Sequence, residues 1–166
     1  MKKLVFRIPD EREIPKVGKQ LTAAYQSSYA GLMDETYLAS LPEDHWNPIL
    51  RESMCRGDTC IIAEQDGYVL ATAVFGTTDE SRDSVVLHAI YVSSHWVGKG
   101  IGHLLYTELE QRMVAQGARR CLLEVLSANN RAIRFYLSHG FQKTGTFDVE
   151  ENGMTLTCDT MCKFFI

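Results

Sequence analysis

The sequence predicts an α/β (α+β) fold, with one sheet of about seven strands carrying helices on its faces. Three observations predict it. The two-residue turns Asp66-Gly67 and Asn152-Gly153 each join two β-rich runs, the strongest short-range hairpin signal. The stretch HAIYVSSHWVGKGIGHLLYTEL, residues 88–109, passes from strand-like residues through Gly98, Gly100 and Gly102 directly into helical spacing. Finally, RCLLEVL at 120–126 is a nearly continuous apolar run, typical of a strand covered on both faces.

In chain order, KLVFRIP reads as a first strand. EIPKVGKQLTAAYQSSY reads as a helix with Val17, Leu21, Ala24 and Tyr25 at helical spacing. Residues 30–58 hold one or two short helices, interrupted at Pro42 and closed near Gly57. TCIIAEQDGYVLATAVFGTT forms two strands around Asp66-Gly67, DESRD is a polar loop, and SVVLHAIYV is the fourth strand. The helix after the glycines carries Leu104, Leu105, Leu109 and Met113 and stops at Gly117. After the strand at 120–126, Asn129 or Asn130 caps a helix running through Ala132, Tyr136 and Leu137 to Gly140. The remaining residues form two strands around Asn152-Gly153. No repeat or linker divides the chain, so residues 1–166 read as one domain.

Composition narrows the function. A net charge of −4, with 45% hydrophobic and 23% charged residues, gives no basic footprint for nucleic acid or an anionic membrane. Cationic small molecules are mildly favoured. The basic start MKKLVFRIPDERE is broken by Arg7 and Pro9, so it is no secretory signal, and no apolar stretch reaches bilayer length. Five cysteines, Cys55, Cys60, Cys121, Cys158 and Cys162, suit reduced thiols in a cytoplasmic protein and make no zinc pair. His45, His95, His103 and His139 have no metal-ligand spacing, so no metal is expected.

A strand that runs into a helix leaves the first N–H groups of that helix unpaired, and these attract an anion, most readily a phosphate. Glycines let the phosphate approach the backbone; alternatively they only make a tight turn. Two known phosphate loops do not match. A Walker loop needs Ser or Thr after Gly98-Lys99, where Gly100 stands. The dinucleotide fingerprint started at Gly98 requires glycine where His103 stands, and Glu124 lies inside the next strand rather than at its end.

VGKGIG at 97–102 resembles the acetyl-coenzyme A loop of the GNAT superfamily of acetyltransferases: Arg or Gln, two residues, Gly, one residue, then Gly or Ala. It departs at the first position, where Val97 stands. ANNRAIRFYLSHGF at 128–141 is similar to that family's second block through Asn129, Ala132, Tyr136, Gly140 and Phe141. The order of elements agrees over nearly the whole chain.

The resemblance implies a mixed twisted sheet whose parallel fourth and fifth strands splay apart at their C-terminal ends. Pantetheine would lie in that gap, bonded to the backbone of Ile90, Tyr91 and Val92 as an added strand. Val97, Gly98, Lys99, Gly100, Ile101, Gly102, His103 and Asn129 would complete the acetyl-coenzyme A site. The implied activity is acetyl transfer to a primary amine by direct attack, with Tyr136 in the position of the family's usual acid. Seen alone, a tyrosine on an apolar helix face reads as core packing.

The base is open. Many members carry a fourth-strand Glu where this chain has Val86. Alternation puts 86, 88 and 90 on one face, so His88 is a candidate base, and a structural His is an equal one. Glu124, Tyr29, Asp148 or a water chain are the other candidates. Trp46 and Trp96 read as packing residues. Tyr29 and Asp34 are candidates for the acceptor site, since the segment between the first helices often walls it in this family. Two further readings stay open: a protein N-terminal or lysine acetyltransferase, and an acyl-coenzyme A sensor that binds without turnover. The resemblance also makes a homodimer through TLTCDTMCKFF an option.

Overall fold

The computed structural model describes residues 3–78, 81 and 83–166. Residues 79, 80 and 82 of the expected polar loop, and Met1 and Lys2 of the basic start, lie outside the described residues. Seven strands form one sheet: β1 (Val5–Arg7), β2 (Thr59–Gln65), β3 (Tyr68–Thr77), β4 (Ser84–Val92), β5 (Arg120–Leu126), β6 (Gln142–Glu151) and β7 (Met154–Phe164), in the order β1-β2-β3-β4-β5-β7-β6. Among the described residues, five α-helices accompany it: α1 (Ile14–Tyr29), α2 (Glu35–Ser40), α3 (Asn47–Cys55), α4 (Ile101–Ala115) and α5 (Asn130–Ser138).

Local chemistry explains the boundaries. Asp10 and Glu13 form a reciprocal capping box, and Pro15 follows in the first turn of α1, where a missing N–H does no harm. Asp34 caps α2 through the N–H groups of Thr36 and Tyr37. Asn129 caps α5 by accepting from the Ala132 N–H at 3.2 Å. Asp66 and Asn152 have φ of 53° and 52°, and the glycines after them are also positive, as the tight turns of both hairpins require.

The sheet has a core on each face. Leu105, Leu109 and Met113 of α4 pack with Phe75, Val85, Leu87 and Leu123. Ile14, Val17 and Leu21 of α1, with Leu50 of α3, pack with Ile62, Val74 and Ala89 on the other face. Leu104, expected on the apolar side of its helix, is 54% exposed: α4 needs only one stripe, and residue 104 lies beside it. The expectation that β5 is covered on both faces holds only in part. Leu123 and Val125 are buried, whereas Glu124 is exposed and opens onto a cleft.

Two irregularities near β4 shape the sheet. The parallel pairing of β4 with β5 runs only from Ser84↔Arg120 to Val86↔Leu122, after which the strands part. Across β3, Val74 pairs with Ala89 while Phe75 pairs with Leu87, which leaves His88 without a partner. That extra residue is a bulge, and it reverses the alternation beyond it. Val85 and Leu87 share the α4 face with Ile90 and Val92. The expectation that 86, 88 and 90 lie on one face is therefore corrected: Ile90 faces away from His88.

Candidate active site

A cleft of about 820 Å³ occupies the gap between the parted strands and continues to the start of α4. Its wall takes Ile90, Tyr91 and Val92 from β4 and Glu124 and Val125 from β5. Parting frees the facing edges of both strands, so backbone donors and acceptors are available to an extended ligand.

At one end lies the glycine turn. Gly98 and Gly100 adopt φ of 80° and 85°, a left-handed backbone that other residues reach only at a cost, and a side chain on either would meet open space. Gly100 precedes α4, and no side chain caps the helix. Its first N–H groups are therefore left without an intrahelical partner beside the cleft that Gly98, Gly100 and Gly102 line. Gly102 has a different reason to be glycine. A Cβ there would lie 3.3 Å from the Phe135 ring and 3.5 Å from Val92, so its absence lets α4 lie against α5 and β4.

At the other end the cleft meets a group of tyrosines. The hydroxyls of Tyr29 and Tyr91 lie 2.8 Å apart, and their rings pack edge to face at 6.0 Å. Tyr136 packs against Phe135 and Phe141. Burial raises its phenol well above the ordinary tyrosine range, with Tyr29 and Cys121 acting in the same direction, so it stays protonated at neutral pH. No hydrogen bond to its hydroxyl forms among the described residues. Gln20 fixes the end of β4: its amide donates to the Tyr91 carbonyl (3.3 Å) and the Ser93 hydroxyl (3.1 Å), while its oxygen accepts from Thr72 (2.7 Å).

The structure gathers most of the expected residues. Tyr29, Ile90, Tyr91, Val92, Val97, Gly98, Gly100, Gly102, His103, Asn129 and Tyr136 all line the cleft. Four do not. Lys99 lies over the Trp96 ring at 5.2 Å, and Ile101 packs in the core at 6% exposure. Asp34 is committed to capping α2. His88 sits outside the cleft lining with its Nε2 3.9 Å from Asp58, which accepts from Ser53 (2.5 Å) and Arg56 (3.0 Å). Burial lowers the proton affinity of His88, and Arg56 adds to this, against Asp58 and Glu124.

Sequence reasoning did not place Arg131 and Arg134 at the site. Both line the cleft, where two cations suit a polyanionic ligand. Their spacing of three on a helix whose cap was already identified is the signal that could have found them. Among the described residues, no group of three His, Cys, Asp or Glu side chains is placed to hold a metal, and no helix is long and apolar enough to cross a membrane.

A family model described as the acetyltransferase (GNAT) family matches residues 21–141. Solved structures share the fold. PaiA N-acetyltransferase from Thermoplasma acidophilum, in complex with coenzyme A, aligns with a TM-score of 0.79 at 20% identity, over 98% of this chain and 99% of that one. The ribosomal-protein-S18-alanine N-acetyltransferase of Escherichia coli aligns with a TM-score of 0.77 at 17% identity, over 98% and 94%. YncA from Salmonella typhimurium, solved with its cofactor acetyl-CoA, gives 0.74 at 20% identity, over 97% and 93%. No curated protein sequence matches the chain.

Proposed function

The chain belongs to the GNAT acetyltransferase family, and on that premise we propose that its single domain transfers acetyl from acetyl-coenzyme A to a small primary amine. The observation that carries this reading is the cleft itself: a phosphate-receptive helix start and two arginines at one end, a tyrosine-rich chamber with one carboxylate at the other, and parted strands between.

The donor side follows from the backbone. The unpaired N–H groups at the start of α4, with Arg131 and Arg134, suit the phosphates of the donor. The free edge of β4 at Ile90–Val92 suits the amides of pantetheine. Backbone donors on that edge can stabilise negative charge that develops on the thioester oxygen. Tyr136, half-buried in the cleft wall and protonated, is the group suited to return a proton to the departing thiolate.

On the acceptor side, Glu124 is the better candidate to take the amine proton, because it lines the cleft and His88 does not. Glu124 also gives a cationic amine a carboxylate to approach. The hydroxyls of Tyr29 and Tyr91 complete that end. The cysteines are all free thiols, which fits the reducing cytoplasm.

The experiment is thiol release from acetyl-coenzyme A across a panel of small amines and amino-terminal peptides. The reading predicts release with small primary amines and little with peptides. Tight coenzyme A binding without release by any acceptor would replace the transferase with an acyl-coenzyme A sensor.

A further inference from the structure

Where the glycine loop meets α5, two imidazoles touch. Nδ1 of His103, in the first turn of α4, lies 2.8 Å from Nε2 of His139, the residue that ends α5. His103 is exposed and lines the cleft beside Gly100 and Gly102. His139 sits half-buried behind it, with its ring 4.3 Å from that of Tyr106 and 4.8 Å from that of Phe135. Acetyl transfer as derived above uses neither ring pairing nor a second histidine.

We propose that His103 and His139 act as one hydrogen-bonded couple that takes up a proton when coenzyme A binds, with the outward Nε2–H of His103 donating to a pyrophosphate oxygen and His139 as its positioning residue. This rests on the reading of the cleft as a coenzyme A site.

The argument is one of tautomers. The bond to His139 occupies Nδ1 of His103, so Nε2 is the only nitrogen His103 can turn to a ligand. With the shared hydrogen on His139, the neutral His103 carries its own hydrogen on Nε2 and donates to an anion. With the shared hydrogen on His103, Nε2 presents a lone pair and repels the anion. Adding one proton to the couple removes the repelling arrangement, because a charged His103 donates from both nitrogens.

The surroundings disfavour a proton on His139 before an anion arrives. Burial lowers the proton affinity of His139 most, and His103 and Lys163 of β7 act in the same direction. Glu110 of α4 opposes them, but it is shared: it accepts from the Tyr106 hydroxyl at 2.9 Å and from Lys163 at 2.5 Å. Arg131 and Arg134 of α5 add positive charge along the same cleft wall as His103. A bound pyrophosphate would offset these cations and favour the charged couple. The sign follows: binding raises the proton affinity, so affinity for the ligand rises as pH falls.

The test uses dephospho-coenzyme A and isothermal titration calorimetry between pH 6 and 8. Coenzyme A itself has a phosphate monoester that titrates near pH 6, and the dephospho form lacks it. The wild-type protein should bind about fivefold more tightly at pH 6 than at pH 8, within ordinary coupling strengths. Its binding heat should vary with the ionisation enthalpy of the buffer, reporting proton uptake. His139→Phe, which keeps a ring against Tyr106, and the exposed His103→Gln should each flatten the pH dependence. Wild-type binding without proton uptake, or an unchanged slope in His139→Phe, would overturn the couple. Failure of coenzyme A to bind at any pH would instead overturn the reading of the cleft.

Discussion

Phe135 of α5 occupies the space that a side chain on Gly102 of α4 would need, with its ring 3.3 Å from where a Cβ would stand. Gly102 is thus held by packing between elements, and Gly100, two residues earlier, by its backbone angle of 85°. The same motif carries two different constraints.

Gly102→Val should therefore destabilise the fold by about 1–3 kcal/mol, the usual cost of overpacking. Gly100→Ala should cost about 1–2 kcal/mol through its left-handed backbone, with no clash. Thermal melts of both, with coenzyme A binding measured on the folded fraction, check this. Gly102→Val as stable as the parent would show that α4 and α5 can part freely.

His88 should matter to stability and not to the reaction. Its proton affinity is lower in the fold, so the unfolded chain binds the proton more readily, and stability rises with pH. The contribution is complete above the ordinary His value of about 6.5 and is lost as pH falls below it. His88→Ala should flatten the dependence of Tm on pH between 7.5 and 5.5, on the order of the His titration range, and leave the pH–rate profile unchanged. A lost acidic limb in kcat/KM would return the base to His88.

Glu124→Gln should lower kcat/KM for a small amine by about a hundredfold or more, the range of positioned acid–base groups. It should leave coenzyme A affinity within a factor of about two, since the proposed phosphate site at residues 98–102 is at the other end of the cleft. Equal turnover by Glu124→Gln would leave the amine to shed its proton to water.

Much of this was legible in the chain. Asp66-Gly67 and Asn152-Gly153 set both hairpins, and β4 and β5 begin and end as read, because local turn chemistry and apolar runs decide such elements. Val97, Gly98, Gly100, Gly102 and Tyr136, singled out through the resemblance of two sequence blocks, all line the cleft. The bulge at His88 was not, because it comes from the register between β3 and β4, which no local pattern carries. Nor was the Gln20–Thr72–Tyr91 network, which joins residues far apart in sequence. The spacing of Arg131 and Arg134 puts them on one side of α5, but which side faces the cleft is set by tertiary packing.

The most direct test of the central claim is the rate of thiol release by Tyr136→Phe at saturating acetyl-coenzyme A and amine. The variant keeps the ring against Phe135 and Phe141 and loses only the hydroxyl. If that hydroxyl protonates the departing thiolate, kcat should fall about ten- to a thousandfold, overlapping the usual range for a general acid, while the affinity for acetyl-coenzyme A stays within a factor of about two. Full turnover by a well-folded Tyr136→Phe would contradict the account and leave Tyr136 a packing residue.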